Sequence, residues 1–326
     1  MSSSASSAAT KRPLKVGLFF PHAQVGPDGR KPAWANIVAL AQRAEQAGFD
    51  SLWFPDHYFY PRGDLGLNPD GTPKGEKEAA SGFWDCWTLI SAIAASVPRV
   101  ELGTLVSCTG YRNPGVLAKI VDTSEEVSGG RVILGIGGGD SGYEHRALGL
   151  SYDQRIGRFE EAMTIIHHYF HEGIADFDGK HYSAHELERR PAGPRPNGPP
   201  VMIGTLATGQ RMLRLTAQYA DLWNGWIIRR STDLSAIPPL REAIDAACVA
   251  QGRDPATLGR TLTVGVSLLG RTMPGNETIT GTPEQIADTF RAIAREGISH
   301  VQIWLTPTSS AGVDAFAPVL ELLNQG

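Results

Sequence analysis

Short apolar runs alternate along the chain with longer segments of helical periodicity. The short runs predict strands buried on both faces, because parallel strands covered by helices lose the in-and-out alternation of half-exposed strands. The longer segments carry apolar residues three and four positions apart, which predicts helices with one buried face. Strands are predicted at 15–20, 51–54, 100–106, 132–136, 201–203, 221–226, 261–269 and 300–305, and helices at 33–47, 85–96, 114–127, 153–171, 209–219, 233–251, 282–296 and 313–323.

Eight strand-then-helix units predict one α/β domain, a single (β/α)8 TIM barrel. Insertion loops are predicted after strand 2, at 58–83, and before strand 5, at 173–200, because neither segment has a periodic apolar pattern. A loop as long as the first is usually functional or disordered, and we interpret it as a substrate lid. Residues 1–13 are predicted to form a flexible tail, which leaves 14–326 as the barrel domain.

Composition and charge narrow the class of protein. The 326 residues are 41% hydrophobic and carry a formal net charge of -4, so a globular protein without a nucleic-acid partner is predicted. No apolar run approaches the roughly 20 residues of a membrane span. The scattered Cys86, Cys108 and Cys248 predict a reducing, cytoplasmic location without a disulfide framework. We predict no metal site, because His167 and His171 lack a third ligand at suitable spacing.

Polar and titratable residues follow the predicted strands. In a parallel barrel these strand ends share one mouth, where the loops carry function. Asp56 and His57 come directly after strand 2. One interpretation is a proton-transfer pair, since histidine titrates near neutral pH. The other interpretation is a capping aspartate beside a histidine that is satisfied within the core.

A glycine-rich run at 137–142, Gly-Gly-Gly-Asp-Ser-Gly, follows strand 4. Its spacing matches a dinucleotide fingerprint, but it follows the fourth strand, and the acidic residue expected about 20 positions later falls inside a helix. The run is therefore interpreted as a place where the backbone approaches a planar ring or its anionic tail, or as a tight turn without a ligand. Four tryptophans are predicted to line the substrate pocket: Trp84, Trp223, Trp226 and Trp304.

Four ordered stretches resemble the luciferase-like monooxygenase family, whose members use flavin mononucleotide or the deazaflavin coenzyme F420. They are AEQAGFDSLWFPDH at 44–57, WTLISAIAASVPRVELGTLV at 87–106, RNPGVLAKIVDTSEEVSGGRVILGIGGG at 112–139, and PPVMIGTLATGQRMLRLTAQYADLWN at 199–224. The (β/α)8 barrel of that family agrees with the element count. The resemblance also implies a homodimer.

The resemblance implies roles for particular positions. Asp56 would contact the cofactor, His57 would transfer a proton, and Asp140 would be a second catalytic acid–base group. A non-proline cis peptide bond would join Leu105 to Val106 behind the cofactor ring. The further cofactor-binding positions that it implies, in addition to Val106, are Ser107, Cys108, Gly137, Gly138, Gly139, Gly204, Thr205, Ala207 and Thr208.

The resemblance leaves three functions open. The first is hydride transfer between coenzyme F420 and a small organic substrate, although Pro61 replaces the tryptophan of the sugar-phosphate dehydrogenase branch. The second is an FMN-dependent monooxygenase that uses oxygen and reduced flavin from a partner flavin reductase. The third is a non-catalytic ligand-binding barrel, which the intact Asp56 and His57 disfavour.

Overall fold

The computed structural model describes residues 12–23, 32–60, 81–205, 209–227, 233–268 and 278–325. In this part of the chain the helices are α1 Trp34–Ala47, α2 Cys86–Ser96, α3 Pro114–Ser128, α4 Gly142–Ala147, α5 Arg155–His171, α6 Gln210–Tyr219, α7 Ile237–Ala250, α8 Pro283–Arg295 and α9 Ser310–Asn324. The strands are β1 Lys15–Phe19, β2 Ser51–Phe54, β3 Phe59–Tyr60, β4 Ser81–Gly82, β5 Glu101–Thr104, β6 Ser107–Cys108, β7 Val132–Gly137, β8 Ile174–Asp178, β9 Ser183–Glu188, β10 Val201–Thr205, β11 Leu222–Trp226, β12 Gly259–Ser267, β13 Ile279–Thr280 and β14 His300–Thr306.

Eight of these strands form a closed parallel barrel, which confirms the predicted fold. Neighbours follow the order β1, β2, β5, β7, β10, β11, β12 and β14, and β14 pairs with β1 to close the ring. Each strand is followed by at least one helix on the outside. Strand carboxyl ends therefore meet at one mouth, as the sequence predicted.

The barrel interior is filled by a small apolar cluster below the mouth. Trp53, Leu105, Ile133 and Met202 form this floor cluster, and all are buried. The indole of Trp53 fits because Gly103 has no side chain, since a Cβ there would lie 2.5 Å from the Trp53 ring. A much larger apolar layer lies between the strands and the helices.

The segment predicted to be irregular at 173–200 contains an antiparallel hairpin of β8 and β9, so that prediction was wrong in part. The hairpin strands are largely exposed and lack the apolar run by which buried strands are recognised. Glu161 of α5 holds the hairpin tip, because its carboxylate accepts three consecutive backbone N–H groups, from Lys180, His181 and Tyr182.

Other differences from the prediction lie at loop ends. Of the predicted 58–83 insertion, residues 61–80 lie outside the described residues, and the flanking β3 and β4 pair with each other. The predicted tail at 1–13 includes Arg12, whose side chain is 3% exposed and donates to Asp50 at 3.0 Å, while residues 1–11 lie outside the described part. The short helix α4 was not predicted.

None of the helices in the described ranges is both long and apolar enough to cross a membrane.

Gly135 of β7 lies directly against the backbone of Thr104 in the neighbouring strand β5. A Cβ at this position would lie 1.7 Å from the backbone oxygen of Thr104, which cannot move without disrupting the pairing of β5 with β7. We expect Gly135→Ala to lower the free energy of unfolding by about 1–3 kcal/mol or more, the usual cost of overpacking. Urea denaturation followed by circular dichroism measures this change.

Gly157 provides the matched control. It lies in α5, where a Cβ would make only ordinary contacts at 3.4 Å or more, so Gly157→Ala should stabilise the helix slightly. Equal effects of the two substitutions would contradict the packing described for β5 and β7.

Candidate active site

The loop after β2 places Asp56 and His57 at the barrel mouth, beside the end of β5. The peptide bond between Leu105 and Val106 is cis, which confirms the geometry that the family resemblance implied. The chain then enters the short strand β6, which begins at Ser107 and pairs with the end of β7. The ends of β2, β5 and β7 are thereby brought together around one site.

Asp56 is the organising carboxylate of this region and is 3% exposed. Its Oδ2 accepts from Arg112 Nη1 at 2.7 Å, from Ser107 Oγ at 3.0 Å and from the Cys108 backbone N–H at 3.3 Å. Its Oδ1 accepts from the Cys86 thiol at 3.2 Å. Burial disfavours the guanidinium charge of Arg112, but the adjacent Asp56 outweighs burial and raises the pKa of Arg112. Asp56 thus joins β2 to β6, α2 and the start of α3.

His57 pairs with a carboxylate that the sequence analysis missed. Its Nδ1 lies 2.7 Å from Oε2 of Glu144, whose side chain is fully buried, while 21% of the His57 side chain is exposed. Glu144 Oε1 accepts the backbone N–H groups of Tyr58 and Phe59 at 2.7 and 3.2 Å. Glu144 Oε2 also accepts the Tyr111 hydroxyl at 2.8 Å. One buried carboxylate therefore fixes both the imidazole and the backbone that follows it.

Glu144 reaches this position on α4. Ser141 caps the helix, because its Oγ accepts the Glu144 backbone N–H at 3.3 Å. The spacing from Ser141 to Glu144 is that of a capping box, a signal in the sequence that predicts a helix start here. No local pattern indicates that the Glu144 side chain turns instead toward His57, 87 residues earlier in the chain.

His57 and His22, both close to the mouth, have opposite protonation tendencies. Burial disfavours the imidazolium of His57, but the hydrogen bond and charge of Glu144 outweigh burial and raise the pKa of His57. Burial likewise opposes the Glu144 charge, and the hydrogen bond and charge of His57 lower the pKa of Glu144 below its usual value. Burial lowers the pKa of His22 to about 4, so this second imidazole is neutral at neutral pH.

The glycines at the mouth make room for side chains of the protein itself. A Cβ at Gly137 would lie 3.0 Å from Val106 Cγ2, and a Cβ at Gly204 would lie 3.2 Å from Val106 Cγ1. Gly139 has a φ of +79°, and a Cβ there would lie 2.5 Å from Cys108 Sγ. From the sequence, the glycine run was explained by a ligand or a tight turn. The structure shows a further reason, because the absence of side chains at these glycines leaves room for Val106 and Cys108.

The four predicted pocket tryptophans lie in three different places. Trp226 packs on the floor cluster from the mouth side, and Trp304 stacks on Phe19 with ring centroids 4.8 Å apart. Trp223 belongs instead to the layer between barrel and helices, is 1% exposed, and donates to Thr205 Oγ1 at 2.8 Å. Its place in the prediction is corrected, because its side chain points out of the barrel. Trp84 is 43% exposed, and its indole donates to the Pro32 carbonyl.

The remaining predicted residues divide between mouth, wall and undescribed segments. Asp140 is exposed at the end of β7, close enough for its charge to help raise the pKa of His57. Gly138 faces Ile156 of α5. Ser107 is buried and accepts from the Trp87 indole at 2.8 Å. Ala207 and Thr208 lie outside the described residues.

The fold and this site define a (β/α)8-barrel enzyme with a paired histidine and carboxylate at the mouth. The chain belongs to the luciferase-like monooxygenase family, whose model matches residues 14–272. The protein is thus an oxidoreductase or monooxygenase of the flavin-dependent type, as the sequence resemblance predicted.

Two relatives are similar to this chain at the sequence level. The phthiodiolone/phenolphthiodiolone dimycocerosates ketoreductase of Mycobacterium tuberculosis is 29% identical over 289 residues, which cover 82% of this chain and 70% of the relative. The F420-dependent hydroxymycolic acid dehydrogenase of the same species is 29% identical over 248 residues, which cover 75% of this chain and 60% of that protein.

Solved structures share the fold at low sequence identity. An F420-dependent secondary alcohol dehydrogenase in complex with an F420–acetone adduct has a TM-score of 0.70 at 16% identity, covering 95% of this chain and 99% of its own. A riboflavin lyase with modified FMN and riboflavin has a TM-score of 0.75 at 13% identity, covering 96% and 91%. Both likenesses establish the barrel fold.

Arg112 offers an internal comparison of a buried and a more exposed ion pair. It contacts the Asp56 side chain, which is 1% exposed, and the Asp85 side chain, which is 35% exposed, each at 2.7 Å. We expect Asp56→Asn to lower the free energy of unfolding by about 3–5 kcal/mol, because it leaves the Arg112 charge buried without its main partner. Asp85→Asn should cost about 1 kcal/mol or less. Denaturation midpoints of both variants test this, and equal losses would contradict the role given to Asp56.

Proposed function

We propose that this protein is a coenzyme F420-dependent oxidoreductase that transfers a hydride between the deazaflavin and a small organic substrate. The observation that carries the proposal is the His57–Glu144 pair at the barrel mouth. Support comes from the F420-dependent dehydrogenase among the relatives, which is 29% identical. The secondary alcohol dehydrogenase adds a shared fold.

The residues at the mouth fit a flat ring with a polar edge. Phe19, Val106 and Trp226 are partly exposed apolar side chains above the buried floor cluster. One polar atom at the mouth end of β12, Ser267 Oγ, is buried without a hydrogen-bond partner among the described residues. Buried polar atoms normally have a partner, so this hydroxyl is suited to the polar edge of a ligand.

The chain's own residues would bind and orient the cofactor and the substrate, and one of them would transfer a proton. The deazaflavin, when bound, supplies or accepts the hydride. Val106 would support one face of the ring, and the aromatic side chains of Phe19, Trp226 and Trp304 would exclude water from it. His57 exchanges a proton with the substrate oxygen at Nε2, because its Nδ1 is engaged by Glu144.

The alternative is an FMN-dependent monooxygenase that receives reduced flavin from a partner reductase. The family description and the FMN-containing riboflavin lyase of the same fold favour it. A non-catalytic barrel is disfavoured, because a binding protein gains nothing from a buried carboxylate directed at a partly exposed histidine.

Binding of each cofactor decides between the first two functions. We expect the purified protein to quench F420 fluorescence on titration, with a dissociation constant at least about ten-fold lower than for FMN, which is about 1.4 kcal/mol of preference. Tight binding of FMN with none of F420 would overturn the proposal in favour of the monooxygenase.

His57 should matter for turnover more than for cofactor binding. We expect His57→Ala and His57→Gln to lower kcat about 100- to 10,000-fold, the usual contribution of a general acid or base, with F420 affinity little changed. The control is His185→Ala, which removes an exposed imidazole from the hairpin. Unchanged turnover in a folded His57 variant would exclude His57 from proton transfer.

We also propose a cytoplasmic location. The three cysteines are free and buried, as suits a reducing compartment. The homodimer stays a prediction from the family resemblance, as does the flavin reductase partner of the alternative function. Sedimentation velocity of the purified protein measures the oligomeric state.

A further inference from the structure

We propose that Glu144 is a positioning residue that holds His57 as an imidazolium and so makes the site a proton donor, suited to reducing a carbonyl compound. The direction of the reaction rests on the proposed function, whereas the positioning role concerns the protein alone. Nothing in the sequence or in the family comparison assigns a role to Glu144.

The hydrogen bonds of Glu144 favour a carboxylate. Its two oxygens accept from the backbone N–H groups of Tyr58 and Phe59 and from the Tyr111 hydroxyl, and Oε2 lies 2.7 Å from His57 Nδ1, from which a carboxylate accepts when Nδ1 carries a proton. A protonated carboxyl group would turn one acceptor into a donor directed at these donors. Burial and the Glu144 charge raise the pKa of Tyr111, so its hydroxyl remains a donor.

A carboxylate that is fully buried needs a cation beside it. His57 is the one ion-pair partner of Glu144 among the described residues. Arg112, a permanent cation next to Tyr111 in the chain, is already committed to Asp56 and Asp85. An unpaired charge in this position would be costly, and protonation of His57 removes that cost.

The other groups around His57 act in the same direction. Asp140 at the end of β7 and the neighbouring Asp56 both favour the imidazolium, and they raise the pKa of His57 after the larger effect of Glu144. His22, which lies across Phe83 from His57, is neutral at neutral pH because its pKa is about 4. Burial opposes the charge of His57.

The consequence for the reaction is a preferred direction. Reduction of a carbonyl compound adds a hydride to carbon, which the reduced deazaflavin supplies, and a proton to oxygen, which His57 supplies from Nε2. The C=O double bond becomes CH–OH, the deazaflavin would be oxidised by loss of the hydride and would release one proton to solvent, and the neutral imidazole regains one proton from solvent. Oxidation of an alcohol needs the neutral imidazole as base, which the Glu144 pair disfavours near neutral pH.

The positioning role is tested without any cofactor. Nuclear magnetic resonance titration of the His57 ring in wild-type protein should give a pKa above 6.5, and Glu144→Gln should lower it by about one to three units, the usual effect of removing an adjacent opposite charge. The matched control is Glu172→Gln, which removes the carboxylate from the exposed pair with His168 and should leave His57 unchanged.

Two results would overturn the positioning role. One is a wild-type His57 that titrates at or below 6.5, a measurement that needs no variant to fold. The other is a folded Glu144→Gln protein in which His57 titrates as in the wild type.

The pH profile tests the direction. Ketone reduction should be constant at low pH and fall as pH rises through the His57 pKa, because only the imidazolium donates. In Glu144→Gln this fall should move to lower pH and, above the wild-type pKa, reduce the rate by about 10- to 1,000-fold, in proportion to the lost protonated fraction. Alcohol oxidation should show no corresponding fall, because the neutral imidazole that it needs becomes more abundant in the variant.

The titration of His57 and the turnover measurements distinguish the inference about Glu144 from the proposed function. A raised His57 pKa without any deazaflavin turnover keeps the positioning role, and it overturns both the proposed function and the reductive direction. Deazaflavin turnover in a protein whose His57 pKa is not raised overturns the inference about Glu144 and keeps the proposed function. Alcohol oxidation that exceeds ketone reduction at neutral pH overturns the direction alone.

Discussion

The ion pair between Asp56 and Arg112 is the constraint on which the mouth of the barrel depends. The carboxylate follows β2, the guanidinium precedes α3, and the distance between Oδ2 and Nη1 is 2.7 Å. The same carboxylate accepts Ser107 and the Cys108 backbone, which lie just after the cis bond. The path of the chain behind the site is therefore set by a charge that cannot leave the protein interior without losing its partners.

His57 depends on this arrangement through the chain that it shares with Asp56. Asp56 fixes the chain just before His57. Glu144 fixes the chain just after His57, because it accepts the backbone N–H groups of Tyr58 and Phe59. Two anchored carboxylates therefore act on the imidazole. Asp56 acts through the chain, whereas Glu144 both contacts the ring and holds the backbone that follows it.

The barrel could be predicted from the sequence because its strands are apolar runs and its helices have one apolar face, both of which are local patterns. The residues after β2 and the cis bond could be placed because they follow strand ends or match family motifs. The hairpin of β8 and β9 could not, since its strands are exposed. The partnership of Glu144 with His57 could not either, since it joins distant positions. The direction of the Trp223 side chain depends on strand register, which its residue type does not specify.

Arg12 shows that residues stabilising the barrel lie on a different face from the residues of the candidate active site. Its guanidinium contacts the Gly48 carbonyl after α1, the Asp50 carboxylate before β2 and the Asn324 side chain at the end of α9. It therefore links the first and last strand–helix units of the barrel where they meet, on the face opposite the mouth. Substitutions on that face would change the stability of the closed barrel. They would not touch the proton-transfer groups at the mouth, so stability and catalysis can evolve independently.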